Sequence, residues 1–163
     1  MWDYDRAKKS SDIFNLVIPT LEKYFGGKIL STESENSDIA KILDRGCSID
    51  GIVVSNMIFG IAHRVNYKWY ETFTVRTKDI HGLTELQHIT RPGIKPRYHV
   101  QTVVKNDMPF KLAIVKTDSL IESINRKLGR TYVNPLSLDE FYSIYWQTLT
   151  ANGYIVDIID MKG

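Results

Sequence analysis

The chain is short of most features that announce a function. It has one cysteine, Cys47, in 163 residues. A single thiol excludes an intramolecular disulfide and a cysteine-based zinc centre, and it fits a reducing compartment. Glycine is thinly spread: Gly26-Gly27 and Gly51 are isolated, and no phosphate-cradling loop is formed. Nucleotide hydrolysis and dinucleotide binding therefore lose their usual signature. No Gly-x-Ser-x-Gly elbow occurs, which removes the common serine-hydrolase motif. His81, His88 and His99 do not stand at a His-x3-His spacing, so a histidine zinc site is not indicated. No apolar run approaches the ~18 residues of a membrane span, and residues 1–6 lack the apolar core of a signal peptide, so the expected location is cytoplasmic. Charge of one sign is lacking too, with 21 Lys and Arg against 19 Asp and Glu. Any nucleic-acid surface must then be local.

What is present is the material of one soluble domain covering residues 1–163, with 43% hydrophobic and 25% charged residues. Ile13, Leu16, Val17, Leu21 and Tyr24 recur at helical spacing, so a helix is expected over residues 3–24. Pro19 should kink or split it, and Gly26-Gly27 should end it. Strands are expected at 28–32, 48–54, 57–67 and 71–77, with a short helix at 37–43. A helix over 83–89 and strands over 98–104 and 110–115 follow. Two capping boxes, Ser119 to Glu122 and Ser137 to Glu140, predict helices running to Gly129 and to about Thr150. A last strand covers 154–159. One mixed β-sheet flanked by helices, in a single α/β domain, accommodates this order.

The chemistry concentrates in a hairpin. Ile49-Asp50-Gly51-Ile52-Val53-Val54 leads through Ser55-Asn56 into a strand from Ile58 to Val65. Alternation puts Ala62, Arg64 and Asn66 on one face, and Ile61, His63 and Val65 on the other. With Ile61 and Val65 packed under helices, His63 goes with them and Arg64 projects from the opposite side. A carboxylate at Asp50 beside a cation at Arg64 suits a divalent metal and a scissile phosphate. The metal would activate water, and the cation would offset charge that develops in the transition state.

These residues resemble the PD-(D/E)XK nuclease superfamily, the restriction-endonuclease-like fold. In that family a helix precedes a strand meander, with Asp on one strand and Glu-x-Lys on the next. Asp50 matches the first carboxylate, and Ala62-His63-Arg64 stands at the triplet. Ala62 cannot bind metal. Arg64 keeps the charge of lysine but stays protonated, so it can stabilise phosphate and cannot act as a base. The resemblance implies metal-dependent cleavage of DNA with Mg2+ or Mn2+, and it implies a ligand set completed from elsewhere. Asp44, Glu33 or Glu35, Glu22 and Glu71 are the candidates, because a hard divalent ion needs oxygen ligands in space and not in sequence order. Ala62 favours the alternative, an inactive nuclease-like module of a mobile element or defence system that binds nucleic acid or a protein partner. A second copy of the chain is one such partner. A structural Asp50–Arg64 ion pair is the plainest reading of all.

Three further features bear on partners. Arg91, Lys95 and Arg97 lie in a Pro-containing loop, with Arg76, Lys78 and Lys105 on neighbouring segments. Together Arg76, Arg91, Lys95 and Arg97 form a candidate phosphate-binding rim, a solvated loop being the alternative. Trp69-Tyr70, between two strands, could stack on a base or fold back on the sheet. Phe141, Tyr142, Tyr145, Trp146 and Leu149 fall at helical spacing and are expected to pack on the sheet from a helix.

Overall fold

A computed structural model describes residues 4–33, 37–79 and 82–161. It opens on α1 (Tyr4–Phe25), one continuous helix with Pro19 inside it. The expected split at Pro19 does not occur. Pro19 and Asn15, whose carbonyl loses its helical donor, are both exposed, so water can satisfy that carbonyl. Phe14, Val17 and Leu21 on the other stripe are buried, and their packing on both sides of the proline holds the helix together.

The chain then builds a six-stranded sheet. β1 (Lys28–Ser31), β2 (Gly51–Val54) and β3 (Ile58–Asn66) form an antiparallel meander. Between β1 and β2 lie a short helix, α2 (Asp38–Lys41), and a π-helical turn, Ile42–Gly46. β5 (Tyr98–Lys105) runs parallel to β3, and β6 (Met108–Lys116) and β9 (Val156–Asp160) complete the order β1-β2-β3-β5-β6-β9. The sheet is mixed, as expected. It is not alone. β4 (Thr72–Lys78) leaves it to pair with β8 (Glu140–Tyr145), which also pairs with β7 (Arg130–Val133) in a three-stranded antiparallel sheet.

The two faces of the large sheet carry separate cores. Val53, Ile61, Val100, Leu112 and Ile114 pack against Phe14, Val17 and Leu21 of α1. Val103, Ala113 and Val115 point the other way, onto Phe73, Val75, Tyr142 and Ile144 of the small sheet. Ile89 of α3 (Glu85–Thr90), Leu120 of α4 (Thr117–Asn125), and Trp146 and Leu149 of α5 (Trp146–Ala151) close that second core.

Both capping-box helices are corrected. α4 begins at Thr117 with Lys116 as a cap lacking any side-chain bond, and it ends at Asn125. Residues 137–150 do not form one helix: Glu140–Tyr145 is a strand, and only Trp146–Ala151 is helical. Within β8, Tyr142 and Ile144 are buried while Phe141, Ser143 and Tyr145 are not. That is a period of two, set by the partner strand β4. The aromatic packing expected there is present, apart from Tyr145, which is exposed.

Candidate metal centre

Backbone bonding at the mouth of the hairpin gathers the carboxylates. The β1–β2 register ends at Ser31 opposite Gly51. Thr32 then clamps onto the residues before β2: its N–H donates to the Asp50 carbonyl at 2.9 Å, and its hydroxyl lies 2.9 Å from the Ile49 carbonyl. This delivers Glu33 to Asp50. From the other side, the Ile49 N–H donates to the Leu43 carbonyl at 3.0 Å, folding the π-helical turn back over the same place and bringing Asp44 with it. Carboxylate oxygens of Glu33, Asp44 and Asp50 all lie within 4.8 Å of one another. Glu22 and Glu71 are engaged elsewhere, by Lys28 and the Ile29 N–H and by Lys111 respectively. Glu35 lies outside the described residues.

Asp50 stands one residue before β2, which begins at Gly51 rather than at residue 48. One of its oxygens accepts the His63 N–H at 2.7 Å. Burial pushes its pKa up to about 8; that hydrogen bond and Arg64 oppose the shift, while Asp44 and Glu33 add to it. Asp44 is also raised, by burial and by Glu33. Three carboxylates sharing one volume repel unless a proton or a cation intervenes. An all-oxygen acidic set of this kind suits a hard divalent cation better than a soft metal.

Arg64 does project from the face opposite α1, as alternation requires. His63 lies on the α1 face, stacked on Phe14 at 4.7 Å between ring centroids, and burial pushes its pKa down to about 3. The partner of Arg64 is not Asp50 but Glu85, the first residue of α3, whose carboxylate meets Nη2 directly. Glu85 is buried, yet every bond around it favours the anion. The Arg76 N–H donates to Oε2 at 3.2 Å, and His99 Nε2 lies 3.2 Å from Oε1. His99 Nδ1 is in turn 3.0 Å from the Thr117 hydroxyl. Burial alone would raise the Glu85 pKa, but Arg64 and His99 overcome it and hold the carboxyl well below its usual range. His99 is the neighbour of Ala62 across the parallel β3–β5 ladder. The small side chain at 62 thus stands beside an imidazole held to a carboxylate from another element.

α3 also reaches the carboxylate-bearing segment. His88 Nδ1 lies 2.8 Å from the Ser48 hydroxyl, and Arg91 Nη2 donates to the Gly46 carbonyl. Ser48 has a φ of 55°, the left-handed region that is costly for a residue with a Cβ. Spacing of three residues places Glu85 and His88 on one side of the helix. One short helix therefore anchors both the arginine and the turn that leads into Asp50. Neither residue stood out in the sequence. The only local sign was Thr84 followed by Gln87, a capping box that fixes the start of α3 and puts Glu85 in its first turn.

The cations of the expected phosphate rim each have a partner within the fold. Arg76 pairs with Asp79 at 3.3 Å and Asp139 at 3.6 Å, and lies over the Phe141 ring. Lys95 pairs with Asp118 at 3.6 Å, and Arg97 lies over the rings of Phe59 and Tyr98. Of the four cations, Arg91 is the one bonded to the segment carrying Asp44 and Asp50. Trp69 and Tyr70 are exposed, and the Trp69 ring meets the Lys105 ammonium at the end of β5 at 4.8 Å. His81 lies outside the described residues. No protein-family model, curated protein or solved structure compared with this chain matches it.

Proposed function

We propose that the chain is a metal-dependent nuclease of restriction-endonuclease-like architecture, cutting DNA phosphodiester bonds by water attack. The observation that carries this reading is the convergence of Glu33, Asp44 and Asp50 from three separate segments at the mouth of the hairpin that carries Arg64. The order of elements supports it. A helix, α1, precedes a meander with the carboxylate at the entry to β2 and the cation on β3. Asp50, Asp44 and Glu33 would hold Mg2+ or Mn2+, and the second and third of these replace the ligand missing at Ala62. A divalent ion bound there would supply Lewis acidity and make a coordinated water more acidic than bulk water. Arg64, permanently charged, would bind a phosphate oxygen and offset charge that develops on it. Glu85 and His99 would keep the guanidinium in place.

The test is a cleavage assay on single-stranded, duplex and branched DNA and on RNA, with Mg2+ or Mn2+, beside Asp50→Ala. Metal-dependent cutting that the substitution abolishes, in a folded protein, is the expected result. Cutting that survives Asp50→Ala, or no cutting by the wild type on any substrate, overturns the reading. The second outcome moves the assignment to a nuclease-like binding module, for which Ala62 is the specific observation.

A further inference from the structure

The turn between β3 and β4 is built to hold an aromatic ring in solvent. Asn66 lies two residues past Arg64 on the same strand face, which is ~7 Å along β3. Its Nδ2 donates to the Tyr70 carbonyl at 2.7 Å, and its Oδ1 accepts the Lys68 N–H at 3.1 Å. At the tip of this braced turn is Trp69, with a φ of 65°. The left-handed conformation disfavours any residue with a Cβ and a bulky one most, whereas glycine adopts it without strain. A buried tryptophan could offset that strain by packing. Trp69 is 58% exposed and Tyr70 beside it 55%; the Trp69 ring meets the Lys105 side chain rather than an apolar core, so burial does not offset the strain. Strain retained at an exposed position points to a ligand.

The surroundings say which ligand. The Lys105 ammonium lies 4.8 Å from the Trp69 ring centroid and 5.4 Å from that of Phe110. Lys68 precedes Trp69 in the turn. Among the described residues neither lysine is paired with a carboxylate, whereas the nearby Lys111 is paired with Glu71. A half-exposed ring with the Lys105 ammonium over it and Lys68 beside it in the turn matches a nucleobase face with its phosphates. Inside a duplex both faces of each base are already stacked on neighbouring base pairs, so away from the duplex ends only an unpaired base offers one.

We propose that Trp69, with Lys68 and Lys105, is a stacking site for an unpaired base of a nucleic-acid strand, in the turn that follows the strand carrying Arg64. The proposal takes its account of what the strand is doing there from the nuclease reading; the binding itself does not require cleavage. It gives the chain a preference for single-stranded, frayed or branched substrates over continuous duplex.

The experiment measures binding of a labelled oligothymidylate and of a blunt duplex to the full chain in EDTA, where no cleavage can intervene. Trp69→Gly is the decisive variant, because it removes the ring and relieves the backbone, so its melting temperature should equal or exceed that of the wild type. The expected result is oligothymidylate affinity weakened about tenfold or more in Trp69→Gly and largely kept in Trp69→Phe, with duplex affinity unchanged. Equal oligothymidylate binding by wild type and Trp69→Gly, or none by wild type, overturns the stacking site. Self-association that Trp69→Gly abolishes, without oligothymidylate binding, overturns it in favour of a second copy of the chain. Metal-dependent cutting with unchanged Trp69→Gly affinity removes the stacking site alone. Ring-dependent strand binding without any cutting removes the nuclease reading alone.

Discussion

The Arg64 guanidinium ends on the Glu85 carboxylate, a residue 21 positions further along the chain and on a different element. Arg64 keeps 30% of its side-chain exposure, whereas Glu85 keeps 7%. The pair thus faces solvent through the arginine and the interior through the glutamate. That polarity is what a phosphate-binding cation needs, since its counter-charge sits behind it and its outer edge stays open.

Breaking the pair from the arginine side should be costly. Arg64→Ala leaves a buried carboxylate held only by His99 and the Arg76 N–H, and the loss expected is ~3–5 kcal/mol in urea denaturation. Glu85→Gln should cost less, because an amide retains hydrogen bonds to both neighbours. The Glu85 pKa is lowered from 4.5. Its contribution is therefore complete above that value and is lost as pH falls toward the folded-state pKa. The acid limb of a stability–pH curve should flatten in Glu85→Gln, and an unchanged limb would show that another group governs it.

Asp50 has the opposite sign. Its pKa rises from 3.8 unfolded to about 8 folded. Between these values the folded state keeps a proton that the unfolded state releases, so this group's stabilisation is complete below the lower value and declines as pH rises to the upper one. Asp50→Asn should melt higher than the wild type above pH 8, the difference closing as pH falls toward 4. A divalent ion displaces the same proton. Mn2+ affinity, read by thermal shift or calorimetry, should climb with pH and level off beyond about 8.

His88 should matter to the metal without touching it. Its bond to Ser48 holds a left-handed residue two positions before Asp50. Partners that orient ligands typically change metal affinity 10–100-fold, and His88→Ala is expected to weaken Mn2+ binding by about tenfold. His88→Asn, which can still bond the hydroxyl, should restore most of it. Identical Mn2+ isotherms for wild type and His88→Ala would show that the turn holds itself.

Gly60 tests the packing beneath Asp50. A Cβ on it would lie 2.7 Å from Ile49 Cδ1 and 2.9 Å from Cγ1. Ile49 is buried next to Asp50, so Gly60→Ala must displace it, at ~1–3 kcal/mol by chemical denaturation. Mn2+ affinity should fall in step. A fully stable Gly60→Ala with normal metal affinity would mean that Ile49 has room to move.

Much of the molecule was legible in short-range pattern. The β2–β3 and β5–β6 hairpins follow from alternation and tight turns, each partner lying within a few residues of the other. Alternation alone put Arg64 and His63 on opposite faces of β3. Chemistry asks for further oxygens beside Asp50, and the sequence offers Asp44, Glu33 or Glu35, Glu22 and Glu71; the fold brings Asp44 and Glu33 to it. The region 137–150 misled, since Phe141, Tyr142, Tyr145, Trp146 and Leu149 satisfy helical spacing. Phe141, Tyr142 and Tyr145 are nonetheless in strand β8, between the nearby β7 and β4, the latter more than 60 residues upstream and outside any local window.

What the sequence by itself determined is therefore the set of local periodicities: the strands of the hairpins, the long first helix, and the faces on which charged side chains emerge. These depend on backbone geometry and on neighbours a few bonds away. The tertiary structure alone decided that β4 would leave the large sheet for a second one, that Arg64 would find Glu85 rather than Asp50, and that α3 would anchor both Arg64 and the turn before Asp50. Those outcomes rest on burial. A charge or a strand edge removed from water must take whichever partner the packed chain brings within reach, and that partner is set by the whole fold.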